Sequence, residues 1–127
     1  MGSKAKRPAA SPLPPPRVLR GKVWVEVDGQ PAMTDAGADL LEQISVCGSL
    51  SEAARRLRFS YRRAWMLLDA MNKRWPSPLV RTAVGGKHGG GARITASGVH
   101  VLKCYRDLQL QLEHLLDAGG DPFEPMG

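Results

Sequence analysis

The chain has 127 residues, 18 Lys and Arg against 12 Asp and Glu for a net charge of +6, and 43% apolar residues. That length suits a single domain, which commonly runs about 100–150 residues, and excludes a two-domain enzyme with a separate cofactor module. No stretch approaches the ~20 apolar residues of a membrane span, the basic, proline-rich start lacks the apolar run of a secretory signal, and Cys47 and Cys104 form neither a disulfide framework nor a CxxC metal motif, so both are expected to be reduced and buried in a cytoplasmic protein.

Residues 1–16 carry five prolines among Gly, Ser, Ala and basic residues, a composition unable to build a core, and read as a disordered tail. From Val18 to Val27 the pattern has period two: Leu19, Val23, Val25 and Val27 share a face with Gly21, which predicts a half-buried strand. Asp28-Gly29 is a turn signal, and Pro31-Ala32-Met33 suggests a short return strand. Thr34 or Asp35 can cap a first helix with Leu40, Leu41, Ile44 and Cys47 on its inner stripe, stopped by Gly48.

Ser49 and Glu52 have the S-x-x-E spacing of a capping box, in which each side chain would satisfy an amide of the other residue. The box opens a short helix over about Leu50–Leu57. Arg58-Phe59 makes the turn, and Ser60 caps a third helix through about Arg74, with Ala64, Leu68, Met71 and Trp75 as its core-facing stripe until Pro76 and Pro78 end it. A hairpin follows, with strands over Leu79–Val84 and Ala92–Thr95 joined by the glycine-rich loop 85–91. Thr95 or Ser97 caps a last helix to about Asp117. On it Val101, Tyr105, Leu108, Leu112 and Leu115 recur at 4-3-4-3 spacing, a seam expected to pair two copies of the chain, with Leu102, Leu110 and Leu116 widening it. Residues 118–127 read as a flexible tail, leaving 17–117 as the domain.

This order of elements, mainly α with a small β component, predicts a winged helix-turn-helix with a long C-terminal dimerisation helix. The charge agrees. Ala53 to Lys103 holds eleven Lys and Arg against Asp69 alone, and the other acids lie outside that block, so its potential attracts a polyanion. The second helix of the pair would enter the major groove of double-stranded DNA with Ser60, Tyr61, Arg62 and Arg63, Met66 and Lys73 lying further along. Ser49 is a further DNA-contact candidate, Ser60 and Tyr61 would bond phosphate, and Arg81, Lys87, His88 and Arg93 on the wing would follow the backbone or minor groove. Trp24, Trp65 and Trp75 read as core or near-core packing.

Other chemistries find little in the sequence. The glycine loop lacks the P-loop pattern, because Lys87 is followed by His88, and it joins strands where a P-loop opens a helix. No catalytic constellation is evident, and no cofactor is expected. His100 and Cys104 stand four apart on one helical face, two ligands that are too few alone for a metal. Two other readings remain: a small-oxyanion sensor using the glycine loop as an anion nest, and a protein-interaction adaptor built on the same scaffold.

Several runs resemble one family. Gly48-Ser49-Leu50-Ser51-Glu52-Ala53-Ala54-Arg55-Arg56-Leu57, Ser60-Tyr61-Arg62-Arg63-Ala64-Trp65, Asp69-Ala70-Met71-Asn72, Pro78-Leu79-Val80 and the segment Gly85 to Thr95 are similar to the N-terminal DNA-binding domain of the ModE family of molybdate-responsive regulators. The first of these runs would also fit LysR-type regulators. The resemblance spans about residues 17–117. It implies a homodimeric transcription factor on a palindromic operator, often beside molybdate-transport or molybdoenzyme genes. Full-length members of that family add small β-barrel domains that bind molybdate or tungstate; no residue here matches them, so the expectation is a regulator acting without that sensor or under a separate sensor protein.

Overall fold

The computed structural model describes residue 13, residues 15–83 and residues 91–125. The sequence readings of a disordered tail before residue 13 and of Lys87 and His88 on the wing therefore lie outside the described residues. The elements run β1 (Val25–Val27), β2 (Gln30–Met33), α1 (Asp35–Cys47), α2 (Leu50–Leu57), α3 (Tyr61–Arg74), β3 (Val80–Thr82), β4 (Ala92–Ile94) and α4 (Ala96–Ala118). This is the winged helix-turn-helix that the sequence predicts. No helix among the described residues is long and apolar enough to cross a membrane.

Local chemistry sets the helix ends. Thr34, Ser49, Ser60 and Thr95 each sit in extended backbone and accept, through the side-chain oxygen, the amide of Gly37, Glu52, Arg63 and Gly98 respectively. Each such cap stabilises its helix by about 1 kcal/mol. Gly48 stops α1 in the left-handed region, and Arg58 takes the same conformation after α2. One cap differs from expectation. Ser49 accepts from Glu52, but the Glu52 carboxylate does not return the contact; it accepts from Arg55 and Arg56 instead. Two guanidinium groups within a turn of it outcompete a single amide for a carboxylate, because charge-assisted bonds are the stronger ones.

The core forms where α1, α2 and α3 meet, from Leu40, Leu41, Ile44, Leu50, Ala53, Ala54, Ala64, Leu68 and Met71, and is closed by Met33, Leu79, Val80 and Tyr105. Burying each large aliphatic side chain contributes roughly 1.5–3 kcal/mol. Asp28 and Gly29, both at positive φ, form the two-residue turn between β1 and β2, as a type I′ hairpin requires. α4 starts in close contact with the other hairpin: a Cβ on Gly98 would lie 2.2 Å from the Leu79 carbonyl oxygen.

Several expectations are corrected. The strand predicted over Val18–Val27 is confined to Val25–Val27, since β2 offers four residues and the register shifts between Val25 and Glu26. Residues 18–24 instead run beside α4, where Gly21 faces Leu112 and Leu116 and the Val23 carbonyl accepts the Tyr105 hydroxyl at 2.6 Å. Tyr105 is thus a core residue of its own chain and is not open to a second copy. Val101 packs partly on the core and Leu112 is half-buried, while Leu108 and Leu115 are exposed. Cys47 is half-buried and Cys104 exposed, on the outer face of α4, so neither is the buried thiol expected. After α4 the chain turns back: Arg17 Nε donates to Asp121 at 2.7 Å and its Nη2 to the Phe123 carbonyl.

Candidate nucleic-acid interface

The α2–turn–α3 unit presents one connected basic surface. Arg55 and Arg56 end α2, Arg58 forms the turn, and Tyr61, Arg62 and Arg63 make the first turn of α3, all exposed. The position of these arginines is informative. A helix N-terminus carries partial positive charge, so basic residues there cost a few tenths to about 1 kcal/mol each, and acids are preferred. α3 has none in its first turn. Its N-terminal amides, its dipole and two guanidinium groups together favour an anion in front of it.

The sequence-predicted residues divide into two groups. Ser49 and Ser60 are occupied as caps, and Ser49 also lies 3.2 Å from the Ser51 hydroxyl. Arg63 stacks its guanidinium over Phe59 at 4.1 Å, which holds its head beside the turn, whereas Arg62 lies on the outward face with Met66. Lys73 lies at the far end of α3 and pairs with Asp69 at 2.9 Å. Around Glu52, hydrogen bonds from Arg55 and then Arg56 hold the carboxyl below its ordinary range, and the same contact raises Arg55.

The wing places Arg81 directly across from Arg93, both exposed on the outer face of the hairpin. Like charges opposite each other in a ladder are destabilising by some tenths of a kcal/mol, and a phosphate between them would remove the repulsion. Beside them runs an open cleft bounded by the end of α1, Ser45 to Gly48, and by Gly91 to Ile94. The Gly48 carbonyl accepts the Ala92 amide at 3.0 Å, which ties the wing to the start of α2.

Two contributors were missed in the sequence. Trp65 is 49% exposed and Trp24 56%, against the expected packing; only Trp75 is partly buried, its indole donating to the Ala32 carbonyl. On a helical wheel Trp65 lies roughly a quarter turn from the centre of the stripe Ala64, Leu68, Met71, and that offset is the signal that places it at the edge of the basic face. The second is Asn72. Its amide nitrogen donates to the Val80 carbonyl, and its oxygen accepts the amides of Leu79 and Val80. One side chain thereby fixes the wing to α3.

Comparison with known proteins agrees with this geometry. No family model matches the chain. The chain is 37% identical over 96 residues to the molybdenum transport protein ModE of Azotobacter vinelandii, covering 76% of this chain and 36% of that protein. It is 39% identical over 87 residues to the transcriptional regulator ModE of Haemophilus influenzae, covering 68% and 34%. It is 39% identical over 74 residues to the DNA-binding transcriptional dual regulator ModE of Escherichia coli, covering 58% and 28%. The chain thus spans about a third of the length of these relatives. Its fold is shared with MepR, a transcription regulator of the Staphylococcus aureus multidrug efflux pump MepA, at a TM-score of 0.55 and 15% identity, over 72% of this chain and 68% of that one. A MepR–DNA complex superposes with a TM-score of 0.52.

Proposed function

We propose that this chain, a winged-helix relative of the ModE regulators, is a transcription regulator that binds double-stranded DNA in a sequence-specific manner and carries out no catalysis. The observation that carries the reading is the exposed, acid-free first turn of α3, where Tyr61, Arg62 and Arg63 project beside the basic end of α2. In this reading α3 enters the major groove, with Arg62 giving a base edge such as guanine its two parallel hydrogen bonds. Arg81 and Arg93 follow the phosphates, and Lys87 and His88 do the same from the wing loop. Two copies join along α4 and meet the half-sites of a palindrome about 34 Å apart. The protein acts in the cytoplasm, where the DNA is.

Selection of genomic duplex fragments on the purified chain, sequenced with and without molybdate, tests this. Recovery of a palindrome in both conditions supports a regulator whose signal arrives through a separate sensor protein. Recovery only with molybdate relocates the sensor to this chain. Absence of any enriched sequence refutes specific recognition and favours an adaptor.

A further inference from the structure

We propose that two copies of the chain, apposed along α4, complete a tetrahedral zinc site from His100 and Cys104 of each. The proposal rests on the α4-mediated dimer of the preceding reading. His100 and Cys104 stand one turn apart on α4, both exposed, with Cys104 Sγ 3.7 Å from His100 Nε2. A chelated zinc demands nearly that separation: bonds of about 2.3 Å to sulfur and 2.0–2.1 Å to nitrogen, at the tetrahedral angle, place the two donors about 3.5–3.6 Å apart. The pair is therefore set for a metal without a change of backbone.

One chain cannot finish the site. Among the described residues, no group of three or more His, Cys, Asp and Glu side chains comes together to hold a metal, so a single copy leaves two tetrahedral positions to water. The occupant that supplies them follows from the helix. Cys104 heads a stripe continued by Leu108, Gln111 and Leu115, with Leu108 43% and Leu115 68% exposed, and Val23 and Gly21 cover a different side of α4. A two-fold pairing brings a surface residue near the axis against its own copy, which turns two donors into four of the same set. Two thiolates and two neutral imidazoles cancel the charge of a divalent ion, which suits an interface that excludes water. This donor set also selects zinc over magnesium or calcium, which require oxygen. Each thiol loses its proton on binding.

The test uses the full chain, stripped of metal and titrated first with Co2+ and then with Zn2+. The expected result is the thiolate-to-cobalt charge-transfer absorption with tetrahedral d–d bands, saturating at one metal per two chains and displaced by zinc. Sedimentation equilibrium should show the dimer tightened at least tenfold by zinc. Cys104→Ser and His100→Gln should each abolish the spectrum while leaving far-ultraviolet circular dichroism and the metal-free unfolding midpoint unchanged, since both side chains are exposed. Saturation at one metal per chain, a spectrum that survives both substitutions, or no tetrahedral spectrum overturns the site. A dimer indifferent to zinc overturns the site and leaves the dimer reading intact. A chain that stays monomeric with and without metal overturns both.

Discussion

Replacing Asn72 with Ala should both destabilise the fold and separate the wing from the recognition helix. The amide makes three hydrogen bonds to β3 and the residue before it: Nδ2 to the Val80 carbonyl at 2.9 Å, and Oδ1 from the Leu79 and Val80 amides at 2.9 and 3.2 Å. Leu79 and Val80 are buried, so water cannot replace those contacts freely. At about 1 kcal/mol net per bond, and more where a buried amide is left without a partner, the loss comes to about 3 kcal/mol. With a urea m-value of roughly 1.5–2 kcal/mol/M for a small domain, the unfolding midpoint should fall by about 1.5–2 M. The same variant, assayed below its midpoint by fluorescence anisotropy on a selected duplex, should bind more weakly because the wing no longer keeps a fixed position relative to α3. Asn72→Asp should be nearly as damaging, since it turns an oxygen toward the Val80 carbonyl. A loss in stability under 1 kcal/mol for Asn72→Ala would refute the reasoning and mean that the hairpin holds its place without the bracket.

Arg62→Ala should weaken binding to the selected duplex by about 1–3 kcal/mol and leave random duplex nearly unaffected, as removal of a base-reading fork requires. The same comparison for Arg63→Ala should show the larger loss on the selected duplex; equal losses would reassign Arg63 to phosphate. Trp65→Ala should cost little in thermal unfolding, because half of the side chain is already in solvent, yet lower DNA affinity in the anisotropy assay; a large drop in the unfolding midpoint with unchanged affinity would make it a packing residue. Glu52 should titrate by carbon-detected NMR below the 4.5 of an unperturbed glutamate, owing to Arg55 and then Arg56. A carboxyl depressed in the folded state stabilises above its unfolded value and loses that contribution as pH falls through the folded one, so this contact weakens only in acid. Glu52→Gln frees both arginines, and its random-duplex affinity should rise, with a steeper dependence of log K on log salt by up to about 0.9 for each phosphate gained.

Helix boundaries were legible in the sequence because capping is local: a Ser or Thr oxygen finds an amide two or three residues on, whatever the rest of the chain does. Thr34, Ser49, Ser60 and Thr95 all cap as their positions imply. The apolar stripes of α1 and α3 were legible for a similar reason, since spacing alone puts Ala64, Leu68 and Met71 on one face. What escaped depends on partners distant in sequence. Period two in residues 18–27 correctly turns Leu19, Val23 and Val25 inward, but it does not say what lies against them: β2 pairs with Val25, whereas residues 18–24 lie beside α4. The 4-3-4-3 seam marks apolar positions on α4 without saying which are spent within the chain; Tyr105 is consumed by the core and by Val23, Leu108 and Leu115 are not. Arg62 was readable as exposed from the wheel, whereas the stacking of Arg63 on Phe59 belongs to the turn's three-dimensional course.

The distribution of ion pairs explains how a fold this basic stays together while keeping its charges available. Away from α2 and α3 five acids are matched: Arg106 of α4 bonds Asp39 and Glu42 of α1, Lys22 pairs with Asp35, and Arg17 with Asp121 and Glu124. Within the wing, and between it and α3, the fastening is by neutral groups instead. Asn72 brackets β3, Thr95 donates to the Pro78 carbonyl, and the Thr95 amide donates to the Leu79 carbonyl. Neutral hydrogen bonds are not weakened when a polyanion approaches, and they leave Arg62, Arg81 and Arg93 free to meet it. Were the same junction held by ion pairs, each phosphate contact would compete with the contact that positions it. Glu52, just before the basic segment, and Asp69 within it pair with Arg55, Arg56 and Lys73 on exposed helix faces, where such pairs are worth little and yield readily to phosphate. A surface whose own stability does not depend on its charges can lose their mutual repulsion on binding, and on the proposed reading this turns the misplaced arginines of the α3 first turn and the opposed arginines of the wing from a cost in the free protein into affinity for DNA.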